Sequence, residues 1–386
     1  MCKQQNSTQE NKCIRTVGEY IDAIQEIIKK EREKDSDFDK KYEVYFRGHL
    51  DKDFFLIPNL LRNKPGDKDS VGQAYKEIVD NEHIAFRSLV AKHPSEFAEC
   101  KSAIEHLVKM QHYKLKTRLL DITSNALVAL YFACTTESGD ANDKLGEVIV
   151  FKLPKRMIKR YDSDTISAVA NIARCDINKL RIKLGNNDLS NEFVKSLDIE
   201  PQINEIRTAI VKADTSGDSL VSLEYKKQFN DDLGYLHHQI KAEKSYYNPL
   251  IEPHDLGKIW AVNTKLENPR IINQSGSFLL FGLGINEEEI DGSNQLTYTK
   301  KFHPQIPDAW IAGRVGVDCR EAHTQADSKD DKKEDATTTL KKEEEKKANI
   351  VQQLSMLGID HSFIFPDLET AAKEINKQLL SSKTDK

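Results

Sequence analysis

No two cysteines in this chain stand in a Cys-x-x-Cys pair. The six cysteines, Cys2, Cys13, Cys100, Cys134, Cys175 and Cys319, are scattered over 386 residues. That spacing speaks against a zinc ribbon or a disulfide frame and is what reduced thiols in a cytoplasmic protein look like. Long apolar runs are missing too. No stretch reaches the ~18 consecutive apolar residues of a membrane span, and the polar segment Met1 to Glu10 has no apolar secretory core. Charge of one sign is also lacking: 57 Lys and Arg meet 62 Asp and Glu, for a net of -5. A broad electrostatic grip on nucleic acid is therefore not expected, and neither is disorder throughout. Phosphate-binding Gly-rich loops, His-Glu-x-x-His and Gly-x-Ser-x-Gly are all absent. His237-His238 has no third ligand spaced to complete a metal site.

What is present reads as helices interleaved with short strands. A helix is predicted from about Thr16, with Tyr20, Ile21, Ile24, Ile27 and Ile28 on one face. Tyr42 to Phe46 alternates and predicts a strand running into Arg47-Gly48. Residues 71–110 predict helix, broken once at Pro94, and Leu119 to Cys134 predicts a buried helix for most of its length. Strands are predicted at Glu147–Phe151, Ile259–Val262, Arg270–Ile272, Gly276–Gly282 and Phe363–Phe365. Helices are predicted at Asp164–Cys175, around Val351, Leu354 and Leu357, and from Asp367 to Leu380. Residues 176–232 are weakly patterned. Residues 327–347 carry seven Lys and eight Asp or Glu and predict a solvated insert. The expectation is an α+β fold: one large mixed domain with a small sheet, carrying Arg47 and Gln274, covered by helices. Its parts are a polar leader and helix at 1–40, the main body at 41–326, the charged insert at 327–347 and a return segment at 348–386.

Three stretches concentrate chemistry. In Tyr45-Phe46-Arg47-Gly48-His49, a strand end presents a guanidinium, a planar fork suited to phosphate or carboxylate. The plainer reading is a structural Arg paired to a carboxylate. Gln111 to Thr123 gathers Gln111, His112, Thr117, Arg118, Asp121 and Thr123 just before an apolar helix whose N-terminus favours anions. The plainer reading makes Asp121 and Thr123 helix caps and Arg118 an ion-pair partner of Asp121. In Asn268 to Phe278, Gln274 lies between two predicted strands and is either a site amide or part of a hairpin turn.

Together these stretches resemble the FRG domain family. The resemblance rests on Phe46-Arg47-Gly48, on Leu56-Ile57-Pro58-Asn59-Leu60-Leu61-Arg62, on Glu82 with Phe86, and above all on Gln111-His112 followed by Thr117-Arg118-Leu119-Leu120-Asp121-Ile122-Thr123 and Asn125 to Ala133. Where the family often has Gly-x-Pro before the Thr, this chain has Leu115-Lys116. Segments around His238–Lys244, Arg270–Phe278 and Leu357–Leu368 resemble later family motifs, so the likeness runs from about 42 to 375. The resemblance implies a bacterial or phage-related domain associated with defence against phage, with Arg47, Gln111, Arg118, Asp121 and Gln274 in one site.

A looser similarity is to Arg-Ser-Glu ADP-ribosyltransferases, which hold the NAD pyrophosphate with an aromatic-Arg-Gly arginine. Ser275-Gly276-Ser277 and Glu287-Glu288-Glu289 offer the other letters. They lie close to each other and far from Arg47 in sequence, and both spacings depart from the transferase pattern. The resulting expectation is an enzyme acting on a small-molecule nucleotide, NAD, as substrate, with no resident cofactor, no metal and no membrane. Arg47 and Arg118 would hold the pyrophosphate, helped by Thr117 and Thr123. Asp121, Glu82 or Glu243 would stabilise developing positive charge or act as base. Gln111, His112 and Gln274 would orient the ribose, with Gln274 counted among the catalytic candidates. The alternative is a non-catalytic module that binds a phosphorylated ligand, nucleic acid or a phage protein.

Overall fold

A computed structural model describes residues 13–62, 81–136, 145–175, 233–248, 251–265, 268–283, 286–287, 298–299, 305–318 and 350–367. The expected features at 176–232, 327–347 and 368–380 lie outside these residues.

The strands are β1 (Tyr42–His49), β2 (Leu119–Thr123), β3 (Leu145–Pro154), β4 (Ile158–Arg160), β5 (Ile259–Asn263), β6 (Gly276–Phe281), the short pair β7 (Asn286–Glu287) and β8 (Tyr298–Thr299), and β9 (Ile311–Asp318). Seven of them form one mixed sheet in the order β4-β5-β6-β2-β1-β3-β9, with β4–β5 parallel and the other neighbours antiparallel. The fold is α+β.

The alternation along β3 explains why helices cover both faces. Val148 and Val150 join one core, and Ile149, Phe151 and Leu153 join the other. The helices begin with α1 (Val17–Lys34) and α2 (Phe38–Lys41), followed by α3 (Glu82–Lys92), α4 (Pro94–Phe97) and α5 (Ala103–His112). Next come α6 (Ala126–Cys134), α7 (Asp164–Asn171), α8 (Gly234–Glu243) and α9 (Pro253–Gly257). The last three are α10 (Pro269–Asn273), α11 (Ile350–Met356) and α12 (His361–Ile364). Apolar residues of α1, α6, α11 and α12 pack on the face of Val148 and Val150. Those of α3, α4, α5, α7 and α8 pack on the face of Ile149 and Phe151.

Several elements differ from the sequence expectation, and the cause is local capping or tertiary pairing. Leu119–Thr123 is a strand, not the start of a helix, because it pairs along its whole length with β6. The helix after it is capped by Asn125, whose side chain accepts from the Leu127 and Val128 amides; neither Asp121 nor Thr123 is its cap. Pro269–Asn273 is helix where a strand was expected: Asn268 caps it and Pro269 takes the first helical position. Gln274 therefore ends this helix and precedes β6, instead of lying on the sheet. His361–Ile364 is likewise helical, with Asp360 accepting from the Phe363 amide.

One feature of the sheet positions the site. The central strands β2 and β1 pair at a single position, Phe46 opposite Thr123. By contrast, β1 pairs with β3 from Tyr42 through His49. Elsewhere along this middle seam β1 and β2 make no ladder pair.

Candidate functional site

The seam is bridged by Arg47. On β1, residues two apart share a face, so Tyr45 joins the core of Ile149 and Phe151 while Phe46 joins that of α6. Arg47 and His49 follow Tyr45. The Arg47 Nε–H donates to His49 Nε2 at 3.0 Å, and NH1 donates to the backbone carbonyl of Asp121 at 2.5 Å. The Asp121 carboxylate lies 3.8 Å from NH1, with 62% of its side chain exposed against 16% for Arg47. Asp121 is the one exposed residue of β2.

The carboxylate is aimed by a relay from α5. Thr117 Oγ1 donates to Gln111 Oε1, and Gln111 Nε2 donates to Asp121 Oδ1 at 2.7 Å. Helix α5 ends beyond Gln111 in a turn where Lys114 takes φ 64°, at the place of the divergent Leu115-Lys116. Thr117 also fixes the second motif, because its carbonyl accepts from the Leu60 amide at 3.3 Å. That contact holds the turn carrying Arg62, whose Nε–H donates to the Ile57 carbonyl at 3.0 Å. The Arg62 guanidinium lies over the Phe54 ring, 5.8 Å from its centroid.

Among the described residues, Asp121 is the one acid whose charge shifts Arg47 and Arg62. Burial pushes Arg47 down to about 10; Asp121 opposes that shift and Arg62 adds to it. Burial also lowers Arg62, again opposed by Asp121. His49 is pushed down to about 2 by burial and then by Arg47, Arg62 and Arg314. It is a neutral acceptor whose proton sits on Nδ1, a buried atom without a hydrogen-bond partner among the described residues. Arg314 is neutralised by Glu147 at 2.6 Å. Next to the relay, His112 Nδ1 is hydrogen-bonded to Asn268 Nδ2 at 3.0 Å. Burial and then Arg270 push His112 down to about 4.

The sequence candidates thus divide. Arg47, Gln111, Thr117 and Asp121 are joined by direct bonds, with His112 beside them. Thr123 Oγ1 donates to the Gln274 carbonyl at 2.6 Å, so both serve a backbone tie, and the Gln274 amide donates to the Ile364 carbonyl at 3.0 Å. Arg118 and Glu82 do not reach Asp121. They form a buried bidentate pair, and Arg118 NH1 also donates to the Phe281 carbonyl at 3.1 Å. The expected pairing of Arg118 with Asp121 is therefore replaced by Glu82, the acid of α3. Glu243 lies elsewhere, accepting from the Ala103 amide at 2.7 Å and facing Arg174 at 3.4 Å.

Sequence reasoning did not assign a role to His49, Arg62 or Phe54. For His49 the i, i+2 spacing from Arg47 on one strand carried the signal. Arg62 stands in the Leu56–Arg62 stretch, but nothing local in the sequence places it near Phe54. Among the described residues, no group of three His, Cys, Asp or Glu comes together to hold a metal ion, and no helix is long and apolar enough to cross a membrane.

The model of the FRG domain matches residues 42–142, and the chain contains an FRG domain over that span. The match includes Arg47, Arg62, Gln111, Thr117 and Asp121, and also the Arg118–Glu82 pair. No curated protein and no solved structure matches the chain.

Proposed function

We propose that the seam between β1 and β2 binds the phosphates of a nucleotide, and that the chain is an NAD-consuming enzyme of the ADP-ribosyl-transferring or glycohydrolase kind. One observation carries this reading: the Arg47 guanidinium stands 3.8 Å from the exposed Asp121 carboxylate, and the charge of Arg62, itself partly buried, acts on the same place. The local excess of positive charge is what an anionic ligand would complete, and Arg forks suit phosphate. Arg47 NH2 has no protein acceptor among the described residues.

In the reaction, the bond between ribose C1′ and the nicotinamide nitrogen breaks, and nicotinamide leaves with the bonding electrons. Water or an acceptor nucleophile adds at C1′ and gives its proton to Asp121. The same carboxylate, held by Gln111, stabilises the cationic ring before addition. Defence against phage, which the resemblance implies, is the setting in which such depletion or modification would act.

The test is nicotinamide release from NAD, with and without extract of phage-infected cells. Asp121→Asn is expected to lower turnover by about 100-fold or more while leaving NAD binding within a few-fold. Arg47→Ala is expected to lose binding. Absence of turnover by the unaltered chain under both conditions overturns the enzymatic reading.

A second reading is a non-catalytic module for a phosphorylated ligand. It is favoured by the fate of Glu82, Glu243 and Gln274, whose side chains are taken up by Arg118, the Ala103 amide and the Ile364 carbonyl. Asp121 is then the one acid left of those expected to act. Binding without turnover, unchanged in Asp121→Asn, identifies that case.

A further inference from the structure

Phe54 and Phe55 are exposed, at 45% and 74%, in the loop that leaves β1 directly after His49. This loop is anchored. The Lys52 amide donates to the Leu145 carbonyl at 3.1 Å, the Asp53 amide to Asp51 Oδ1 at 3.0 Å and the Phe54 amide to the Asp51 carbonyl at 3.0 Å. The turn aims Phe54 at the site: its ring centroid is 6.2 Å from that of His49, the acceptor of Arg47, and the Arg62 guanidinium lies over one face, 5.8 Å from the centroid, while the ring stays part-exposed. An aromatic face fixed in water beside two arginines is the arrangement that stacks a planar ring while cations hold an attached phosphate.

We propose that Phe54 is a stacking platform for the heterocyclic ring of the ligand, so that the site takes a base-bearing nucleotide and discriminates against a bare phosphate. This deepens the nucleotide reading above and rests on its anion site. Arg62 links the two halves, with its guanidinium lying over the Phe54 ring and its charge felt at Arg47.

The experiment measures equilibrium binding of three probes, nicotinamide mononucleotide, AMP and inorganic phosphate, to the full chain and its variants. At least one mononucleotide is expected to bind more tightly than phosphate. Phe54→Leu, which keeps apolar bulk but removes the ring, is expected to weaken that mononucleotide about ten-fold with phosphate unchanged. Phe54→Trp is expected to keep the preference. If Phe54→Leu leaves the preference intact, or weakens phosphate equally, the platform is overturned while the anion site stands. If Arg47→Ala leaves all three probes unaffected, or if none binds, the anion site falls and the platform with it.

Discussion

Arg47 keeps its charge beside a ring that cannot share it. His49 is 2% exposed and accepts the Arg47 Nε–H, so protonating it would set an imidazolium against a guanidinium in a buried place. Burial and the neighbouring arginines push His49 from the ordinary imidazole value of 6.5 down to about 2. The unfolded chain therefore binds the proton more readily, and the stability His49 contributes is complete above pH 6.5 and is lost as pH falls from there toward 2. The magnitude is about 1.4 kcal/mol per pH unit at most. Buried carboxyls that are raised, such as Glu147 and Glu243, act in the opposite direction, so a comparison with a variant isolates the histidine. Gln at position 49 offers a neutral acceptor that does not titrate. Between pH 6.5 and 5 the unaltered chain is expected to lose about 1–2 kcal/mol more than His49→Gln, read from urea unfolding at each pH. Parallel pH profiles would mean that His49 does not hold Arg47 as a neutral acceptor.

The last two residues of the Phe46-Arg47-Gly48 tripeptide have one duty in the site and one in the packing of elements. Arg47 faces the seam, and Gly48 faces α6. A Cβ at Gly48 would lie 2.0 Å from the Ala129 carbonyl oxygen, and one at Gly146, on the neighbouring strand, 2.2 Å from that of Ala133. Ala129 and Ala133 are one helical turn apart, so the backbone of α6 rests directly on β1 and β3 at two successive turns. Gly48→Ala is expected to push the helix off the sheet and cost about 3 kcal/mol or more, measured as a shift of the urea midpoint, since a backbone cannot yield as a side-chain tip does. A shift under about 1 kcal/mol would show that α6 does not need this contact. The sequence made β1, β3, β5, β6 and α1 legible because their periodicity and caps are local. It hid β2, whose five residues look helical beside the Ala- and Leu-rich run of α6 and become a strand through pairing with the distant β6. It hid α10 and α12 because Asn268 and Asp360 cap segments too short to show a period. The site was half legible for the same reason. Arg47, Gln111, Thr117 and Asp121 fall in contiguous motifs, whereas the capture of Arg118 by Glu82 and the approach of Arg62 depend on long-range packing.

At the scale of the whole molecule, Gln274 belongs to the closure of the fold more than to the site. Its amide and that of Asn273 hold the carbonyls of Ile364 and Phe363, Arg270 lies 4.6 Å over the Phe365 ring, and the Val17 amide of α1 donates to Gln353 Oε1 at 2.9 Å. The segment 350–367 thus returns to lie on the same face as α1 and α6, burying Ile350, Leu354, Ile359 and Ile364. Each such side chain is worth about 1.5–3 kcal/mol when removed from water. Four of them together match the ~5–15 kcal/mol that separates a folded domain from its unfolded chain. Gln274→Ala removes one hydrogen bond and is expected to cost only about 1 kcal/mol, with ligand binding retained. A chain ending at residue 349 loses the four aliphatic side chains together and uncovers apolar surface of α1 and α6. Its melt, followed by circular dichroism, is expected to lose cooperativity. A cooperative melt within a few degrees of the full chain would show that the central sheet and its helices stand without the returning segment. The FRG span at 42–142, which contains the site, would then be stabilised from within the residues before 350 alone.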